Sequence, residues 1–98
     1  MANKANKAEY VVVRTYSAGV HVGELMSRTG SEVTLVNASR VWRWRGANSL
    51  HELSLRGADE AWTRISERVQ RIDVLGVIEV IPCSEVARTN LERPRWGA

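Results

Sequence analysis

Between Glu9 and Gly46 the chain repeats one pattern: a short stretch rich in β-branched and aromatic residues, then a turn signal. Such side chains suit a pleated, half-buried surface, so the stretches read as strands. Glu9–Thr15 (EYVVVRT) is the first, Ser17-Ala18-Gly19 supplies a turn, and Val20–Arg28 (VHVGELMSR) is the second. Gly23 inside the second marks a bulge or a close backbone approach. Thr29-Gly30-Ser31 is a short hairpin signal, with Gly30 free to take positive φ. Glu32–Asn37 (EVTLVN) alternates, with Val33, Leu35 and Asn37 on one face and Thr34 and Val36 on the other. Ser39–Arg45 (SRVWRWR) is the fourth strand, which completes an expected four-stranded antiparallel meander.

Gly46-Ala47-Asn48 breaks the pattern. Ser49-x-x-Glu52 matches a capping box, and Leu50, Leu53 and Leu55 line a short helix that stops at Gly57. Ala58–Glu67 reads as loop, then strand. Val69–Ile81 is apolar, β-branched and interrupted at Gly76, which fits two strand pieces or one bent strand ending at Pro82. Ser84 is a good N-cap for a last short helix, Glu85–Glu92, stopped by Pro94. The expected fold class is α+β: mainly antiparallel sheet, the meander plus one or two later strands, with one or two short helices. Met1–Ala8 reads as a flexible polar lead without the apolar core of a secretory signal, and 9–98 as a single domain.

With 98 residues the chain has room for one domain. A chain this short buries only about 60–65% of its unfolded surface, so homo-oligomerisation is the expected way to add buried area. No apolar run approaches the roughly 18 residues of a membrane span, so no membrane partner is expected. Cys83 is the sole cysteine, which excludes an intrachain disulfide and a cysteine-built zinc cluster and fits a reducing cytoplasm. The formal charge of +3, carried by twelve Arg and two Lys, is mild for a dedicated duplex-DNA binder. Arg is the residue whose planar fork of donors suits carboxylate and phosphate.

For catalysis the sequence offers little. His21 and His51 sit in different elements without a metal-spaced partner, Cys83 has no activating His nearby, and no GxSxG or P-loop is present. We therefore expect a binding protein, not an enzyme, with no cofactor and no metal. Two segments carry binding chemistry. In Arg40-Val-Trp-Arg-Trp-Arg45, period two places Arg40, Trp42 and Trp44 on one face and Val41, Arg43 and Arg45 on the other. Trp rings flanked by guanidinium groups form a stacking and phosphate-binding surface. In a chain without Phe, however, both tryptophans are expected to be largely core, leaving Arg43 and Arg45 on the open face. The second segment, Arg14 to His21, sets a guanidinium, three hydroxyls and Gly19 at a strand-to-strand corner where backbone N–H groups can cradle an anion. The expected ligand-binding set is Arg14, Thr15, Tyr16, Ser17, Gly19, His21, Arg43 and Arg45.

The segments YVVVRTYSAGVHVGE from Tyr10, VNASRVWRWRGA from Val36 and VIEVIPCSE from Val77 resemble a family of roughly 100-residue proteins of phages and prophages, a domain of unknown function. The resemblance spans most of Tyr10–Trp96, is most specific in TYSAGV, and lapses over Ala58–Arg68. It implies a phage origin and a host-cytoplasm setting. By analogy of size and chemistry, it implies an accessory protein that sequesters a nucleotide-type signalling molecule of anti-phage defence. A virion or assembly protein and a nucleic-acid-binding accessory protein are the alternatives.

Overall fold

The computed structural model describes residues 9–44, 46–47, 49–59 and 62–95. The polar lead, Arg45, Asn48 and Trp96 lie outside the described residues. The elements run β1 (Tyr10–Thr15), β2 (Val20–Thr29), β3 (Glu32–Arg43), α1 (Leu50–Arg56), β4 (Arg64–Ile65), β5 (Val69–Val74), β6 (Val77–Pro82) and α2 (Glu85–Leu91). The fold is α+β and mainly antiparallel sheet. Both helices start as their caps dictate: the Glu52 N–H donates to Ser49 Oγ and the Ala87 N–H to Ser84 Oγ. The apolar stretch from Val69 resolves into two strands, with Gly76 at φ 68° in the link between them.

One element differs from the expectation. The third and fourth strands are a single twelve-residue strand, β3. Asn37 at φ 50° is a bulge, not a turn: Val22 pairs with Ser39 and Glu24 with Val36, so Gly23 faces two residues. A Cβ on Gly23 would sit 3.1 Å from both Ala38 Cα and Cβ, so Gly23 is the close-approach site and the extra residue belongs to its partner strand.

The sheet order is β4-β3-β2-β1-β6, with β5 also paired to β3. Between β5 and β6 there are therefore four inter-strand gaps, about 19 Å across if flat. Only Leu75 and Gly76 join Val74 to Val77, and three Cα steps reach at most about 11 Å. The sheet must therefore curl until its edges approach. The Val77 N–H donates to Ser31 O, tying the start of β6 to the β2–β3 turn, and the Tyr16 N–H donates to Gly76 O, extending the β1–β6 ladder into the link. Inside it Val11, Val13, Val33, Leu35, Ala38 and Val74 form one core. Outside it Tyr10, Val12, Val22 and Val41 pack against Leu53 of α1 and Ala87 and Leu91 of α2. β1 is buried on both faces, which is why its sequence is a continuous apolar run. Arg88 of α2 lies over the Tyr10 ring and pairs with Glu24 at 2.7 Å, tying the helix to the sheet.

Candidate ligand-binding site

The corner between β1 and β2 is held by its own hydrogen bonds. The Ala18 N–H donates to Thr15 Oγ1 (2.6 Å), and Thr15 Oγ1 in turn donates to Gly19 O (2.9 Å). The Thr15 hydroxyl is thereby consumed in shaping the turn. Tyr16 points outward, its side chain among the most exposed of the large apolar groups at 87%. Gly19 takes φ 87°, and the Arg40 guanidinium lies over it, with Nε 3.7 Å from where a Cβ would be.

His21 is the cross-strand partner of Arg40 and is 3% exposed. Burial, and secondarily the Arg40 charge, lower its pKa, against a raising contribution from the bond to Ala18 O. The ring is therefore neutral at pH 7. Its Nε2 lies 2.9 Å from that carbonyl, which can only accept, so Nε2 carries the proton and Nδ1 is an acceptor.

Between this corner and β5 lies a cavity of about 270 Å³, lined by Ser17, Ala18, His21, Arg40, Ile72, Asp73, Val74 and Leu75. A smaller hollow of about 100 Å³ adjoins it, sharing His21, Arg40 and Ile72 and adding Ser39, Ser66 and Val69. The cavity sits just below the roughly 300–1,000 Å³ of typical small-ligand pockets, so it suits one compact group, with Ala18, Ile72, Val74 and Leu75 as its apolar wall. Arg40 is its cation and Asp73 its carboxylate; no described residue hydrogen-bonds to or pairs with the Arg40 guanidinium. Asp73 is partly occupied, accepting from Thr34 Oγ1 at 2.7 Å with Arg71 3.6 Å away.

The structure brings together part of the expected set. Ser17 and His21 line the cavity, Gly19 lies beneath Arg40, and Tyr16 is exposed at the same corner. Arg14 is elsewhere. The alternation of β1 sends it to the face of Tyr10 and Val12, where it pairs with Glu79 of β6 at 3.0 Å. Arg43 is not on an open face either, since its guanidinium stacks on Trp62 (4.3 Å to the ring centre) and Nε donates to Trp62 O. Arg45 lies outside the described residues.

The tryptophans also part company. Trp44 packs against the outer core, whereas Trp42 is 53% exposed. Val41 pairs with Ile65 but Arg43 pairs with Arg64, so Trp42 is an extra residue in the ladder. That irregularity breaks the alternation and lets neighbouring Arg43 approach the Trp42 ring to 5.9 Å.

The residue missed in sequence is Arg40, for which the hairpin was only a partial signal. A hairpin pairing Thr29 with Glu32 sets His21 opposite Arg40 if the register holds. It does hold, because the extra residue on β3 at Asn37 is offset by one on β2 at Met26. Cys83 is partly buried and burial pushes its thiol up to about 12, which disfavours the thiolate at neutral pH. Among the described residues no three of His, Cys, Asp and Glu form a metal-ligand set. No described helix is long and apolar enough to cross a membrane.

The strands and the corner just described fall within one family match, over residues 8–91. The chain belongs to the family Domain of unknown function (DUF6948). The DUF6948 match spans β1 through α2 and so includes the whole cavity and the hairpin register that sets His21 against Arg40. No curated protein and no solved structure matches the chain.

Proposed function

We propose that this DUF6948 protein is a non-enzymatic binding protein that holds a small nucleotide-type anion at the β1–β2 corner. The observation that carries the reading is the Arg40 guanidinium, without a pairing partner among the described residues, at a cavity whose turn is already hydrogen-bonded. In this reading Arg40 takes the phosphate in a bidentate contact, and Ser17 Oγ donates to it. The neutral His21 offers Nδ1 to a ligand donor, and the exposed Tyr16 ring offers a stacking face. In this reading the cavity of about 270 Å³ would take the phosphate and the sugar attached to it, one per copy. The resemblance to phage-borne proteins makes a messenger of host defence the ligand class we favour, with sequestration as the activity.

Titration calorimetry with nucleoside monophosphates, the parent nucleosides and inorganic phosphate tests this. Monophosphates should bind and nucleosides should not. Arg40→Ala should lose about 1.5–3 kcal/mol, roughly tenfold to over a hundredfold in affinity, with the fold intact. Absence of binding by any phosphate ester, or an unchanged affinity in Arg40→Ala, refutes the reading. One observation favours a nucleic-acid alternative: the exposed Trp42 and Trp62 rings flank the half-buried Arg43 guanidinium, two residues along β3 from Arg40. Single-stranded oligonucleotides bound there would show steep salt dependence and loss in Trp42→Ala.

A further inference from the structure

We infer that the outer edge of β5 pairs with the same edge of a second copy of this chain, antiparallel, about a two-fold axis at Ile72. β5 is hydrogen-bonded to β3 on one side only. Its other side makes no backbone hydrogen bond to any described residue. An edge of this kind offers unpaired N–H and C=O groups to another strand, and proteins that avoid such pairing use Pro, bulges, charged side chains or a covering segment. Of these β5 has only the charges Arg71 and Asp73, which are of opposite sign and so can complement a second copy. β5 contains no Pro, and its ladder with β3 runs from Val69 to Val74 without a register shift.

The side chains say which strand it fits. By alternation Val69, Arg71 and Asp73 share a face of β5, and Leu75 follows directly in the link. An axis at Ile72 sets Arg71 opposite Asp73 of the other copy, twice, and brings Val69 to the end of the partner strand where Leu75 begins the link, twice. Val69 and Leu75 are 47% and 63% exposed, large apolar groups that a single chain leaves in water. Arg71 and Asp73 are 62% and 50% exposed and lie 3.6 Å apart within one chain, so two copies would join four charges of alternating sign. An axis shifted to Arg71 or to Asp73 would instead set like charges face to face, which disfavours those registers. Pairing also bears on the cavity, whose wall includes Asp73 and Leu75. Arg71 of the second copy would arrive beside it, and that consequence alone rests on the ligand reading.

Sedimentation equilibrium of the full chain, without ligand, tests the pairing. The wild type should be a dimer at tens of micromolar. Arg71→Asp and Asp73→Arg should each weaken the dimer roughly tenfold or more, because two opposite-charge pairs become like-charge pairs. The combined exchange should restore it. Circular dichroism checks that each variant folds. If a single variant does not fold, hydrogen exchange on the wild type replaces it: amides of Gln70–Val74 should slow as concentration rises. A monomeric wild type, a dimer indifferent to all three variants, or exchange at β5 independent of concentration overturns the inference. Phosphate-ester binding is read separately, so a charge-sensitive dimer that binds none would keep the pairing and discard the ligand reading.

Discussion

Gly57→Ala is expected to be the most damaging single methyl in this protein. Gly57 ends α1 at φ 82° and ψ −159°, a region essentially closed to residues with a Cβ and costing about 1–3 kcal/mol to occupy. The added Cβ would also sit 2.6 Å from Asn90 of α2. Asn90 cannot simply withdraw, because its amide bonds the Ala58 N–H and the Ala58 carbonyl, each at 3.0 Å. Losing those two bonds adds about 0.5–1.5 kcal/mol each. The total is about 2–6 kcal/mol, against a stability of about 5–15 kcal/mol for a domain of this kind. Urea denaturation at equilibrium measures it. A cycle with Asn90→Gly separates the two parts, since removing the Asn90 side chain relieves the clash but not the backbone strain. The double variant should therefore be more stable than the sum of the singles by about 1 kcal/mol or more. A Gly57→Ala cost below about 1 kcal/mol, or strict additivity, would refute the reasoning.

Two further outcomes are expected. His21 has a folded-state pKa below its ordinary 6.5, so the unfolded chain binds the proton first and stability should fall as pH drops below about 6.5, levelling once the folded ring titrates. Denaturation midpoints at several pH values should show this slope, and His21→Gln should reduce it in that window; a slope unchanged in the variant would remove His21 as its source. Trp42→Ala should unfold near the wild-type temperature, whereas Trp44→Ala should cost up to about 3–5 kcal/mol, the range for losing a buried aromatic. Equal effects on melting would mean that the two rings share one environment after all.

Much of the local structure was legible in the residues. Ser49 and Ser84 cap the helices, Gly57 ends one of them, and Gly19, Gly30 and Gly76 take the positive φ their turns require. These are short-range matters, settled within four residues by which dihedrals a side chain permits and which N–H group it can reach. The burial of β1 on both faces was legible too, since YVVV has no polar alternation to present to water. The pairing of His21 with Arg40 was not legible: the sequence pattern breaks β3 after Asn37, and the hairpin register reaches Arg40 only because the two bulges seen in the structure offset each other.

The site as a whole was decided elsewhere. Arg14 and Arg40 are alike as residues, yet one pairs with Glu79, sixty-five positions away, and the other has no partner among the described residues. That difference depends on β6 lying beside β1, an arrangement available only when the sheet curls. Trp42 and Trp44 share a face in any regular strand, but the irregular pairing with the two-residue β4 and the end of β3 at Arg43 separate them. Asp73 and Ile72 meet the β1–β2 corner because the Leu75-Gly76 link is too short to span a flat sheet. Local chemistry sets dihedral angles and alternation within a strand. Curvature and edge pairing arise from contacts between distant strands, and these decide which of many arginines faces the cavity.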